Sequence, residues 1–275
     1  MLKPKYPKHA LGQNFLQDLQ VVAKIIAALD PKPNDNLLEI GPGTGALTAR
    51  LLAKVNKLKA VELDASLAPL LKQNLGEDFA KLELHLGDIL TFNLDSLGPN
   101  LRIVSNLPYQ ISTPLIFKLG AWQAKARMLE DATPLIDVHL MLQQEVADRL
   151  VATGGANFGR LSVMAQYYFD IAPLFTVPPS AFWPQPKVFS SVVRLVPKPI
   201  SALTAKNLDH LAQLVQVSFS ARRKTMRNAL SGYFDASDWQ RLAIDPQRRP
   251  ERFSVAEYIK LSNYYTNKIG RGGRI

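Results

Sequence analysis

The chain has no cysteine. That excludes a disulfide framework, a thiolate nucleophile and any Cys-ligated metal. Histidine is scarce too: His9, His85, His139 and His210 stand far apart in the sequence, so no metal site is expected. No apolar run reaches the length of a membrane span. The N-terminus, "MLKPKYPKHALGQNF", has basic residues but no apolar stretch behind them, unlike a secretory signal. These absences make a cytoplasmic protein the default expectation.

Acidic residues are in deficit. The 275 residues carry 33 Lys and Arg against 23 Asp and Glu, a net charge of +10. The excess is uneven: Ala202 to Ile275 holds 13 basic and 6 acidic residues, a net of +7, leaving +3 for the body. A basic final quarter beside a nearly neutral body points to a polyanion partner.

Apolar runs and helical patterns alternate through the first two-thirds of the chain. Strands are expected at "NLLEIG" (36–41), "KLKAVEL" (57–63), "KLELHLG" (81–87), "LRIVSN" (101–106), "DVHLMLQ" (137–143), "IAPLFTVP" (171–178) and "VFSSVVRLV" (188–196). Helices are expected between them, at "GALTARLLAKV" (45–55), "ASLAPLLKQNLG" (65–76), "TPLIFKLGAW" (113–122), "QEVADRLVA" (144–152) and "GRLSVMAQYYF" (159–169). Such alternation predicts an α/β fold with a doubly wound, mostly parallel, seven-stranded sheet. The last two strands have no crossover helix between them, so the last should run antiparallel. Past Pro197 and Pro199 the pattern turns helical, which predicts a domain of residues 1–200 and a small all-α basic domain of residues 201–275.

"LLEIGPGTGALT" places Gly41, Gly43 and Gly45 where the first strand turns into its helix. Glycine permits a tight turn and lets a ligand approach the backbone closely. Gly41-x-Gly43-x-x-Ala46 also fits a dinucleotide fingerprint, so the loop alone does not separate NAD from another adenosine-bearing ligand. Glu62 ends the second strand, where an acid can accept both ribose hydroxyls. Asp88 follows the third, where an acid can accept from an adenine amine. Open α/β sheets bind ligands at the carboxyl ends of their strands. Glu39, inside the first strand, needs partners as a buried carboxylate. Either it holds the glycine loop through backbone N–H groups or it reaches a ligand's amino-acid portion.

The fourth strand ends oddly, in "VSNLPYQIS". Asn106 can accept a hydrogen bond from an exocyclic amine. The Leu107 carbonyl can accept a second if Pro108 fixes the turn. Two acceptors draw that nitrogen toward a tetrahedral shape and free its lone pair. Tyr109 offers a face on which an extruded base can stack.

"LLEIGPGTGALT", "VELD", "GDIL" and "SNLPYQISTPLIFKL", in that order and spacing, resemble the ribosomal RNA adenine dimethyltransferase family. "HALGQNFL" (9–16), "FWPQPKVFSSVVRL" (182–195) and "FSARRKTMRNAL" (219–230) are similar to the same family. Within it the likeness is greatest to bacterial members that dimethylate two adjacent adenines near the 3′ end of small-subunit (16S) rRNA. Resistance methyltransferases of large-subunit RNA and transcription-factor relatives with the same fold are similar as well. The resemblance implies a Rossmann-like class I methyltransferase domain, S-adenosylmethionine as cofactor, and a pre-ribosomal particle as partner; no metal and no membrane are expected, and nothing in the sequence demands more than a monomer. The resemblance assigns cofactor contacts to Asn14, Leu16, Gly41, Gly43, Gly45, Glu62 and Asp88; Glu39, Leu63, Ile89 and Asn106 are expected in the same cofactor site. It assigns the amine clamp to Asn106, Leu107, Pro108 and Tyr109, and the second face of the target base to Phe182. In "SARRKTMRNAL", Arg222, Arg223, Lys224 and Arg227 are expected to meet RNA phosphates, with Arg223 and Arg227 on one helical face.

Overall fold

The structure, a computed structural model, describes residues 8, 12–106, 109–130 and 134–272, with the side chains of 109, 127–130 and 271–272 excepted. It divides into two compact units: Met1–Ala147 with Asp170–Pro197, and Asp148–Phe169 with Lys198–Ile275. The second unit thus takes in Asp148–Phe169, which the sequence reading assigned to the first domain.

The first unit is built on a seven-stranded sheet. Its strands are β1 (Asn36–Ile40), β2 (Leu58–Glu62), β3 (Leu82–Leu86), β4 (Leu101–Asn106), β5 (Leu135–Gln143), β6 (Phe169–Val177) and β7 (Ser190–Pro197). Their spatial order is β3-β2-β1-β4-β5-β7-β6. β1 to β5 pair in parallel, and β7 runs antiparallel to β5. Both the mostly parallel sheet and the antiparallel last strand agree with the expectation. Strand order reverses between β1 and β4, the place where open α/β sheets leave a crevice.

Helices cover the sheet because their apolar stripes need burial. α1 (Leu19–Leu29) buries Val21, Val22, Ile25 and Leu29, and Asp18 caps it by accepting from Gln20 N–H and Val21 N–H. The helices expected from the sequence do not include it. α2 (Thr48–Leu52) is shorter than expected, because the chain from Gly43 to Leu47 is spent on turns. α3 (Ala68–Leu75) follows a short 3₁₀ turn, and α4 (Ser112–Glu130) runs well beyond the expected segment. Sheet and helices share a core that includes Val22, Leu37, Leu51, Leu58, Leu71 and Val104.

The second unit is helical: α6 (Arg160–Tyr168), α7 (Leu208–Ser220), α8 (Met226–Ala229), α9 (Ala236–Leu242) and α10 (Val255–Gly272). α5 (Gln144–Val151) straddles the division. Tyr258 of α10 is fully buried, stacking on Phe219 at 5.9 Å and packing on Phe253 at 6.0 Å. Among the described residues no helix is long and apolar enough to cross a membrane, and no group of His, Asp and Glu could hold a metal.

Candidate active site

Parallel registry brings the carboxyl ends of β1, β2, β3 and β4 to one edge, with Ile40 opposite both Val61 and Ser105. Gly41 N–H continues the ladder to the Val61 carbonyl at 2.9 Å, and the Ser105 hydroxyl donates to the Ile40 carbonyl. The chain then turns through left-handed φ values of 56° at Gly43 and 92° at Gly45. A Cβ at Gly45 would sit 2.8 Å from Leu71 Cδ1, and one at Gly43 would sit 3.3 Å from the Phe15 ring. Glycine is demanded here by backbone angle and by close neighbours together.

Glu62 holds this loop. Its Oε2 accepts from Gly43 N–H at 3.0 Å and its Oε1 from Asp64 N–H at 2.8 Å. Burial raises its carboxyl above the ordinary range, and those backbone donors oppose the rise. Of the two tasks expected of Glu39, holding the loop falls at Gly43 N–H to Glu62 instead. Glu39 is 2% exposed, and burial pushes its carboxyl up to about 8. The Glu62 carboxylate adds to that rise. Neither Glu39 Oε2 nor Thr48 Oγ1 completes a hydrogen bond among the described residues.

A pH dependence follows. The folded-state pKa of Glu39 lies above its ordinary 4.5, so its contribution to stability is complete below pH 4.5 and is lost as pH rises through about 8. Glu39→Gln should therefore match wild type near pH 4 and exceed it in stability by pH 8, by at most about 5 kcal/mol. Calorimetric melting across that range reads the difference. A variant equally or less stable at pH 8 would place Glu39 as a paired anion.

The N-terminal segment closes one side of the pocket. Asp64 is the N-cap of the turn after β2, and it accepts from Lys8 Nζ at 2.6 Å and Gln13 Nε2 at 2.8 Å. Burial would raise Asp64, but Lys8, Ser66 and Gln13 hold its carboxyl down at about 2. Phe15 and Leu16 pair antiparallel with Trp183 and Phe182, and the Phe15 ring stacks on Trp183 at 6.3 Å. Gln13, Asn14, Phe15, Glu39, Gly41, Gly43, Glu62 and Asn106 all line the one pocket.

Asn106 donates from Nδ2 to the Asn14 carbonyl at 3.0 Å. A carbonyl can only accept, so this bond fixes which end of the amide is nitrogen. The Asn106 oxygen is thereby left to accept from something else. Leu107 and Pro108 lie outside the described residues. Of Tyr109 only the backbone is described, opening a 3₁₀ turn, Tyr109–Ile111.

The remaining candidates separate. Asp88 is half-buried, takes the Leu90 N–H on Oδ1 at 2.8 Å, and is not among the residues lining the pocket. Leu63 is 52% exposed, whereas Ile89 is buried. Lys118 of α4, absent from the sequence reading, ties the Asp88 turn by donating to the carbonyls of Ile89, Leu90 and Phe92. Phe182 departs from its expected role. Its ring is 5% exposed and packs with Leu16, Val177 and Ala181 in the core, so in this structure it offers no face to a base. Pairing with Leu16 turns it inward.

In the helical unit, Arg222, Arg223, Lys224 and Arg227 are all exposed. The expected single helix is broken: α7 ends at Ser220 and α8 starts at Met226, with Thr225 extended between them. Arg223 and Arg227 therefore share no helical face. Arg222 donates to the carbonyls of Gly155, Ala156 and Phe158, which commits it to holding that loop.

The sheet order and the glycine turn at its switch point define a Rossmann-like methyltransferase fold. A dimethyladenosine transferase from Plasmodium falciparum shares it, with 26% identity, a TM-score of 0.76, and 92% of this chain and 98% of that one covered. The 23S rRNA methyltransferase ErmE shares the fold at 21% identity and a TM-score of 0.67, over 92% of this chain and all of that one. The family model for ribosomal RNA adenine dimethylase matches residues 6–267. "Ribosomal RNA small subunit methyltransferase A" of Dechloromonas aromatica is 45% identical over 265 residues, 96% of this chain and 99% of that one. The protein of the same name from Chromobacterium violaceum is 45% identical over 268 residues, 97% of this chain and 98% of that one. The chain belongs to the ribosomal RNA adenine dimethylase family.

Proposed function

We propose that the chain transfers methyl groups from S-adenosylmethionine to N6 of two adjacent adenines near the 3′ end of small-subunit rRNA. It works as a cytoplasmic monomer on a pre-ribosomal particle. The observation that carries this reading is the Asn106 amide, oriented by the Asn14 carbonyl at the lip of the glycine-lined pocket.

The pocket suits an adenosyl amino acid. Each Glu62 oxygen accepts one backbone N–H and keeps capacity for a ribose hydroxyl. Gly41 has no atom within 4 Å of where a Cβ would stand, so a ligand can approach its backbone. We assign the orphaned Glu39 oxygen to an amino-acid group, and Asn14 and Leu16, which line the pocket, to the surrounding contacts; the family resemblance adds Asp88 for the adenine amine, with Leu63 and Ile89 beside it. S-adenosylmethionine, when bound, supplies an electrophilic sulfonium methyl. What the protein must then do is align the acceptor. The Asn106 oxygen and the Leu107 carbonyl hold the amine, and Tyr109 stacks on its base. The ammonium formed loses its proton readily, so no general base is required. Arg223, Lys224 and Arg227 meet RNA phosphates and position the substrate without reading its sequence; Arg222 serves the loop it already holds.

Tritiated methyl transfer tests the proposal. Small ribosomal particles lacking the modification should accept label, and nuclease digestion should return it as N6,N6-dimethyladenosine. Label only on large particles, or none on adenine, would overturn it.

A further inference from the structure

The rim of the sheet carries an aromatic that nothing above uses. Phe189 is 54% exposed, and Val188 beside it is 43% exposed. Their backbone is fixed: Gln144 N–H donates to the Phe189 carbonyl at 3.0 Å, and the next residue, Ser190, stands opposite Gln143 at the end of β5. An exposed phenyl ring on an anchored backbone keeps apolar surface in water, yet little of its freedom remains to be lost on contact.

Registry locates its backbone. Asn106 stands opposite Met141, and Met141 opposite Val192. Val192 is therefore two strand spacings from Asn106, about 10 Å. Phe189 precedes Val192 by three residues on an antiparallel strand, so its Cα stands about 10 Å past the level of Asn106, one residue beyond the Gln143–Ser190 end of the strand pair. The two Cα atoms are then on the order of 14 Å apart. The base whose amine Asn106 holds has Tyr109 assigned to its face, and a separation of this order suits the nucleotide next to that base.

We propose that Phe189, with Val188 beside it, is a stacking ledge for the nucleotide flanking the target adenine. The inference rests on the methyl-transfer reading above. Single-stranded RNA is held by rings on which unstacked bases lie, and every base has a face to offer. A ledge there keeps the strand splayed while the target base is turned into the pocket. It also supplies, at a different point of the rim, the aromatic surface that Phe182, buried in the core, does not.

The test uses the full chain and a small-subunit rRNA hairpin with 2-aminopurine beside the target adenine. Wild type should quench the 2-aminopurine on binding, as should Phe189→Trp; Phe189→Leu and Phe189→Ala should not. On particles, Leu and Ala should lower kcat/KM about tenfold through KM, a loss at the lower end of what one base stack is worth. S-adenosylhomocysteine affinity should stay unchanged. Quenching by Phe189→Leu equal to wild type, no quenching by wild type, or a parallel loss of S-adenosylhomocysteine binding would each overturn the ledge. A wild type that quenches but transfers no methyl would sink the methyl-transfer reading and leave the ledge standing.

Discussion

Asn106→Ala should lower methyl transfer by about 10²–10³-fold, the usual consequence of removing one preorganised polar contact aimed at developing charge. RNA affinity should be largely kept, because phosphate contacts supply most of it. Asn106 Nδ2 donates to the Asn14 carbonyl at 3.0 Å, and the side chain lines the same pocket as Gly41 and Gly43. With the nitrogen end occupied, the oxygen has a set direction before any substrate arrives. Asn106→Asp sharpens the test. It keeps an acceptor but sets a carboxylate against the Asn14 carbonyl, so the orientation is lost and the rate should fall about as far as in the Ala variant. Single-turnover methyl transfer at saturating donor, beside filter binding of RNA, separates the effects. An Asp variant as active as wild type would show that the amide orientation has no part in the reaction.

The glycine turn was legible because its residues have one physical purpose. Positive φ at Gly43 and Gly45, with Leu71 and Phe15 close by, leaves little choice of residue. Glu62 was legible in place but not in action, since its bond to Gly43 N–H spans 19 residues. Gln13, Asp64 and Lys118 were missed. Each is an ordinary polar residue until the fold brings Gln13 to Asp64 across 51 positions, or Lys118 to three carbonyls of the Asp88 turn. Helix α1 could have been read: its buried residues Val21, Val22, Ile25 and Leu29 recur at helical spacing behind an Asp cap. Phe182 shows a different limit. An aromatic in a proline-rich loop can face either way, and only its pairing with Leu16 settles the direction. The basic run failed as a single helix because Thr225 is extended, with Met226 N–H donating to the Arg248 carbonyl at 2.8 Å.

Asp137→Ala should cost about 3–5 kcal/mol of stability, the loss typical of removing one partner from a buried ion pair. The clamp strand depends on this group. Asp137 is 0% exposed and takes Arg102 Nε and Nη2, both at 2.9 Å, and Arg194 Nη2 at 3.0 Å. Arg102 is on β4, the strand that ends in Asn106, and it also reaches Asp35 at 2.7 Å and the Leu29 carbonyl at 2.7 Å. One guanidinium therefore ties β4 to β5, to the turn before β1 and to the end of α1. Burial would raise Asp137, but Arg102 outweighs it and the carboxyl lies below its ordinary 3.8. Its contribution to stability is thus present above pH 3.8 and lost as pH falls through the lower folded-state value. His139 adds a second acid-sensitive step. Burial lowers it from 6.5 to about 4, against the pull of Asp137, so the unfolded chain takes up a proton across that window before the native one does. Over that window the His139 effect runs against the Glu39 effect, so it is read as a difference: the stability of His139→Leu relative to wild type should rise as pH falls from 7 to 5. Urea unfolding at pH 7 and pH 5 measures both effects. If Asp137→Ala proves too unstable to purify, Asp137→Asn keeps the shape and should still lose more than about 1 kcal/mol. A smaller loss would mean that Arg102 is adequately held by Asp35 and the main-chain carbonyls, and that the register placing Asn106 at the pocket does not depend on the buried pair.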